Sequence, residues 1–194
     1  MNNSKIIYKR FPYYKDKYSV KELYVSAFPK SERFPFWILK NCSNNSNVHL
    51  DAILWDDKLV GMQFIVKYDN ISYLMYLAID DNYRNKGLGS RVLRDLVIKS
   101  DNVLLCIEKP DINDEANIKD RRKKFYLRNG FYSTGCCMKD SGVDYEIISS
   151  VKDFVVTKDI LKNRYLKMSN NTVIQCLIKN IFNVDNIKLL KEEG

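Results

Sequence analysis

The chain has 194 residues, 32 basic against 24 acidic side chains, and a formal charge of +8. That length suits one domain with an appendage, and 45% hydrophobic residues are enough to fill its core. Five cysteines without a C-x-x-C pair argue against a disulfide framework or zinc ribbon, and His49, the only histidine, leaves little for a metal centre or a Ser-His-Asp device. No stretch reads as a signal-peptide core or a bilayer span, so a cytoplasmic protein without a membrane partner is expected.

In chain order, Lys5–Phe11 reads as a short first strand. Ser19-Val-Lys-Glu22 is a capping box, opening a helix with Leu23, Ala27 and Phe28 on one side, which Pro29 ends. The segment Ser31-Glu-Arg-Phe-Pro35 leads into an aromatic stretch, Phe36–Leu39, expected as a second short helix, and Asn41–Asn47 is a polar loop. Three strands follow, Val48–Trp55, Lys58–Tyr68 and Ile71–Ile79, with turns at Asp56-Asp57 and Asp69-Asn70, which is an antiparallel meander.

The stretch Tyr73–Ser100 organises the rest. An uninterrupted apolar run to Ile79 is the mark of a strand buried on both faces. From Leu88 the apolar residues fall at Leu88, Val92, Leu93, Leu96 and Val97, one stripe of a helix that starts in the loop itself. Between them lies Arg84-Asn85-Lys86-Gly87-Leu88-Gly89-Ser90, where two glycines let the backbone approach a ligand and leave the first helical N–H groups unpaired. An anion belongs there, because Arg84 and Lys86 otherwise work against the helix dipole. Lys86 precedes both glycines, so this is no G-x-x-x-x-G-K-[ST], and Val92 stands where a dinucleotide fingerprint needs its third glycine.

Val103–Ile107 is a further apolar strand, stopped by Pro110, and strand, helix and strand in that order imply a right-handed crossover with parallel pairing. Asp111 or Asn113 can cap the next helix, through Ala116, Ile118, Phe125 and Tyr126 to a left-handed stop at Asn129-Gly130. Gly135–Lys139 and Val143–Ser149 form a hairpin around Ser141-Gly142. Beyond Val151, Thr157 caps a helix bearing Ile160, Leu161, Tyr165 and Met168, and a second helix carries Val173, Leu177, Ile178 and Ile181.

Two of these stretches carry a resemblance. Arg84, Gly87 and Gly89 spell R-x-x-G-x-G, and RRKKFYLRNGF, ending at Phe131, places an aromatic residue and Tyr126 ahead of Gly-Phe. In this order, with an apolar strand between them, they resemble the GNAT superfamily of acyl-CoA-dependent N-acetyltransferases. The resemblance implies an α+β fold of three layers, α/β/α, around a mixed, mostly antiparallel sheet with a parallel central strand pair and flanking helices. It would span residues 1–150 as the N-acetyltransferase domain, leaving 151–194 as a helical appendage that covers the acceptor side or builds a homodimer interface.

It also implies the chemistry. Acetyl-CoA, the acyl donor, would lie where the Tyr73–Ile79 and Val103–Ile107 strands splay, with backbone groups of Leu77, Ala78 and Ile79 meeting the pantetheine arm and one N–H stabilising the oxyanion. Arg84 and the amides of Asn85, Lys86, Gly87, Leu88, Gly89 and Ser90 would hold the pyrophosphate. Direct attack by an amine needs a proton taken off it and one given to the thiolate. Tyr126, with a phenol near a thiol's pKa, is the candidate acid. Glu32 or Glu108 would be the base or bind a cationic amine, with Tyr76 and His49 as weaker candidates. No metal and no acyl-cysteine is implied. The expected acceptor is a small-molecule or peptide amine. Two rivals are a non-catalytic acyl-CoA-binding module and a nucleic-acid binder, for which the charge speaks but no groove-reading motif does.

Overall fold

The computed structural model describes residues 5–109, 118–140, 143–181, 184 and 187–191. Among these the strands are β1 (Ile6–Arg10), β2 (Val48–Trp55), β3 (Lys58–Tyr68), β4 (Ile71–Ile79), β5 (Asn102–Glu108), β6 (Tyr132–Asp140), β7 (Val143–Ser149) and β8 (Lys188–Lys191). The helices are α1 (Lys17–Ala27), α2 (Phe36–Cys42), α3 (Leu88–Ile98), α4 (Ile118–Arg128), α5 (Lys158–Leu166) and α6 (Thr172–Ile181). The expected cap at Asp111 or Asn113, the stop at Pro110 and the Ser141-Gly142 turn lie outside the described residues.

The sheet runs β1-β2-β3-β4-β5-β7-β6-β8, and β4 with β5 is its parallel pair among antiparallel neighbours. The β2–β3–β4 meander has the boundaries expected of it, because each apolar run ends at an aspartate that tolerates a left-handed backbone: Asp56 and Asp57 have φ of 50° and 59°, and Asp69 has 48°. Helices cover both faces, giving three layers. On one face α1, α2, α5 and α6 bury Val20, Tyr24, Leu39, Leu161 and Ile178 with strand residues such as Phe64 and Tyr73. On the other, α3 and α4 bury Leu93, Leu96 and Tyr126 with Ile65, Leu105 and Ile107.

Several expectations are corrected. The cap of α1 is Asp16, whose carboxylate accepts from the Ser19 N–H at 3.1 Å, so Ser19 stands in the first turn rather than at its start. The glycine-loop helix, by contrast, does start inside the loop as expected, at Leu88, with Gly87, at φ 75°, as its cap. Three single-turn 3-10 helices, at Phe11–Tyr13, Lys30–Glu32 and Asp81–Tyr83, were not anticipated.

The segment after Ser149 is also more than helical, since β8 adds to the sheet edge through pairs from Cys136↔Lys191 to Lys139↔Lys188. It is tied to the core by Arg164 of α5, a buried residue whose guanidinium bonds the Tyr73 hydroxyl and reaches Cys106 Sγ at 3.4 Å and the Tyr165 hydroxyl at 2.9 Å. A charged group so buried stays only because hydroxyls, sulfurs and ring faces surround it.

Candidate active site

The parallel pairing of β4 with β5 lasts three residues, from Ile71↔Asn102 to Tyr73↔Leu104, and then stops. The cause lies on the other side of β4. Tyr76 sits opposite Phe64 and Leu74 opposite Ile65, so Met75 is an extra residue, and such a bulge bends and twists the strand that carries it. Past it the two strands diverge, β4 staying with β3 and β5 with β7. A cleft of about 1250 Å³ occupies the gap.

The backbone of β4 faces this gap in a fixed phase. Asp80 N–H donates to Val60 O at 2.9 Å, so the alternation of an antiparallel ladder turns the amides of Ala78 and Tyr76 toward β3 and those of Leu77 and Ile79 toward the cleft. Ile79 O accepts from Arg84 Nε at 3.2 Å, and Arg84 also pairs with Asp81 at 2.7 Å. The Arg84 side chain thereby ties the loop to the strand end.

The cleft's mouth is the start of α3. Asn85 and Gly87 are both left-handed, at φ 61° and 75°, which curls the chain around its own amides. The first helical bond is Arg91 N–H to Gly87 O at 3.1 Å, leaving the N–H groups of Leu88, Gly89 and Ser90 without an intrahelical acceptor. At Gly89 a Cβ would stand 3.1 Å from Phe125 Cζ, so only glycine leaves this wall open. Unpaired amides, a dipole end and a cradle that a side chain would fill are what a diphosphate requires. Lys86 instead lies over the Tyr83 ring, 4.9 Å from its centre.

At the inner end stand the carboxylates. Glu32 closes a single-turn helix and Glu108 ends β5, and both line the cleft. Burial first, then the neighbouring carboxyl of Glu108 and its charge, push Glu32 up to about 7 from an ordinary 4.5, with Arg122 and Lys119 pulling the other way. Glu108 also meets Lys119 Nζ at 3.1 Å. Tyr126 lines the same cleft from α4, its ring packed on Phe125 and Phe131 at 5.3 and 5.8 Å. Burial raises its phenol above the ordinary value, against an opposing pull from Arg122, so it holds its proton at neutral pH.

Tyr76, a weaker candidate from sequence, lines the cleft and also positions the site. Its hydroxyl donates to Glu32 O at 3.0 Å and accepts from Phe34 N–H at 3.3 Å, and its ring packs edge-on against Tyr24 and Phe28 at 5.1 and 4.8 Å. That fixes the loop that presents Glu32. His49 faces Asp51 at 4.0 Å on β2 and is not among the residues lining the cleft. Lys119 and Lys123 were not anticipated; their pairs with Glu108 and with buried Glu146, the latter at 2.6 Å, dock α4 on β5 and β7. Their only signal was the basic run of α4.

A mixed sheet that splits beside its parallel pair, with an amide cradle at the mouth of the gap, is a GNAT-like fold. Residues 46–133 match the family model described as "Acetyltransferase (GNAT) domain". Solved structures agree in fold. A GNAT-family protein from Bacteroides thetaiotaomicron matches at 22% identity and a TM-score of 0.59, over 75% of this chain and 85% of that one. A GNAT-family acetyltransferase from Elizabethkingia anophelis, with acetyl-CoA bound, matches at 14% and 0.52, over 77% and 98%. The ribosomal-protein-S18-alanine N-acetyltransferase from Escherichia coli matches at 13% and 0.53, over 78% and 100%. The search of curated proteins yields no match.

Proposed function

We propose that the protein is an N-acetyltransferase that passes the acetyl group of acetyl-CoA to a primary amine by direct attack. The observation that carries this is the split after Tyr73↔Leu104, whose exposed β4 amides lead straight to the amide cradle of α3. The Elizabethkingia relative binds acetyl-CoA in the same fold, and the Escherichia coli relative acts on an amine.

In this reading acetyl-CoA supplies the activated acetyl group. The amides from Asn85 to Ser90 hold its pyrophosphate, and the cations of α4 along the cleft, Arg121, Arg122, Lys124 and Arg128, add a favourable field. The Leu77 N–H meets the oxyanion as negative charge develops, a donor fixed in advance by the β4–β3 ladder. Glu32, poised near 7, takes the proton from the incoming amine, and Tyr126 returns one to the leaving thiolate.

The test is release of free thiol from acetyl-CoA that depends on an added primary amine, with the N-acetylated product identified by mass. Amine-dependent release is expected. Tight acetyl-CoA binding without release across a broad amine panel would instead make the chain a binding or sensing module.

A further inference from the structure

We infer that the acceptor is a monoamine on an apolar body, an alkylamine or arylalkylamine, received in an apolar chamber at the inner end of the cleft; this rests on the acetyltransferase reading above. Leu23, Ala27 and Phe28 from α1 and its exit, Met75 from the β4 bulge, Cys106 from β5 and Tyr145 from β7 all line the cleft. All six are partly buried against the core on the α1/α2 face of the sheet, the face opposite the α3 cradle. The chamber is therefore the part of the cleft beyond the thioester position, and its walls are aliphatic and aromatic. The hydroxyl of Ser26, the polar interruption on α1, donates to Leu23 O at 3.0 Å.

Charge limits the acceptor further. Of the carboxylates that line the cleft, Asp80 and Asp81 belong to the cradle end, where Asp80 caps the Asn82 N–H and Asp81 pairs with Arg84. The chamber end has Glu32 and Glu108, and Glu108 is already paired with Lys119 Nζ at 3.1 Å, which leaves Glu32 to meet the acceptor's charge. One ammonium matches that. The remaining charges of a polyamine would have to enter apolar surroundings or meet Arg121 and Arg122 on the cleft wall, and unpaired charge in such a place is costly.

The experiment is a homologous series of n-alkylamines, propyl to hexyl, with spermidine alongside, assayed by thiol release at saturating acetyl-CoA. These amines share one basicity and differ only in apolar length. The expected kcat/KM rises about fourfold per methylene, equivalent to roughly 0.8 kcal/mol for each buried CH₂, and hexylamine exceeds spermidine by about tenfold or more. Leu23→Gln, with its melting temperature and acetyl-CoA affinity checked, should flatten the series. A flat or falling series in the native protein, or a preference for spermidine, overturns the inference and leaves acetyl transfer standing. Turnover of no amine while calorimetry still finds acetyl-CoA bound fells the acetyltransferase reading, and the inference with it.

Discussion

Replacing Glu108 by Gln separates charge from burial at Glu32. The amide has nearly the volume of the carboxyl, so burial, the largest cause of the Glu32 elevation, remains, while the negative charge beside it goes. Glu32 sits at about 7 against an ordinary 4.5, and after burial the neighbouring Glu108 carboxyl is what holds it there. Removing one adjacent like charge should lower Glu32 by about one pH unit, worth about 1.4 kcal/mol. Lys119, freed from Glu108, pulls in the same direction. The base works as its carboxylate, so activity rises as pH climbs through the Glu32 value and levels above it. Lowering that value moves the rising limb to lower pH. The assay is kcat/KM for hexylamine from pH 5 to 9, where the native protein should show its limb near 7 and the variant a limb near 6 with its plateau kept. A limb that stays or moves upward would refute the pairing, and a collapse at every pH would give Glu108 the proton transfer itself.

Further outcomes follow from the same geometry. Tyr126→Phe should lower kcat about a hundredfold or more, while acetyl-CoA affinity, measured by calorimetry, stays within about threefold because the ring still packs. Gly87→Ala forces a side chain into φ 75°, a strain of about 1–2 kcal/mol, and Gly89→Val drives a methyl group at Phe125; both should weaken acetyl-CoA binding by tenfold or so, seen by titration. Glu32→Gln should raise the melting temperature at pH 8 but not at pH 4: with a folded value near 7 above the unfolded 4.5, the stability held below 4.5 is lost as pH rises through 7, and the amide is spared that loss. Tyr73→Phe takes an acceptor from buried Arg164, costing about 1–3 kcal/mol, or roughly 3–10 °C in a thermal melt.

The meander from Val48 to Ile79 was legible to the residue because its apolar runs stop at aspartates that turn left-handed, a local signal. The R-x-x-G-x-G loop and the Phe-Tyr pair before Gly130 were likewise local, and they marked the cradle and α4. What escaped depends on contacts between distant parts of the chain. Glu32 and Glu108 read as alternatives in sequence, yet Tyr76 holds the one loop so that the two carboxyls meet, and no pattern along the chain encodes that meeting. The Met75 bulge that opens the cleft is invisible in an unbroken apolar run, since only the register against β3 reveals it. Four residues, Lys-Leu-Leu-Lys, are too short to declare β8 by alternation. The Ser19 capping box matched its template, but Asp16 lay three residues earlier with a stronger acceptor.

Backbone amides are the proposed grip on acetyl-CoA, so amide hydrogen exchange is the most direct test. With saturating acetyl-CoA, exchange at Leu77 and across Asn85–Ser90 should slow by about tenfold or more, whereas acetyl-pantetheine, which lacks the pyrophosphate, should protect Leu77 alone. Exchange at Asn85–Ser90 that is indifferent to acetyl-CoA, under conditions where binding is complete, would contradict that grip.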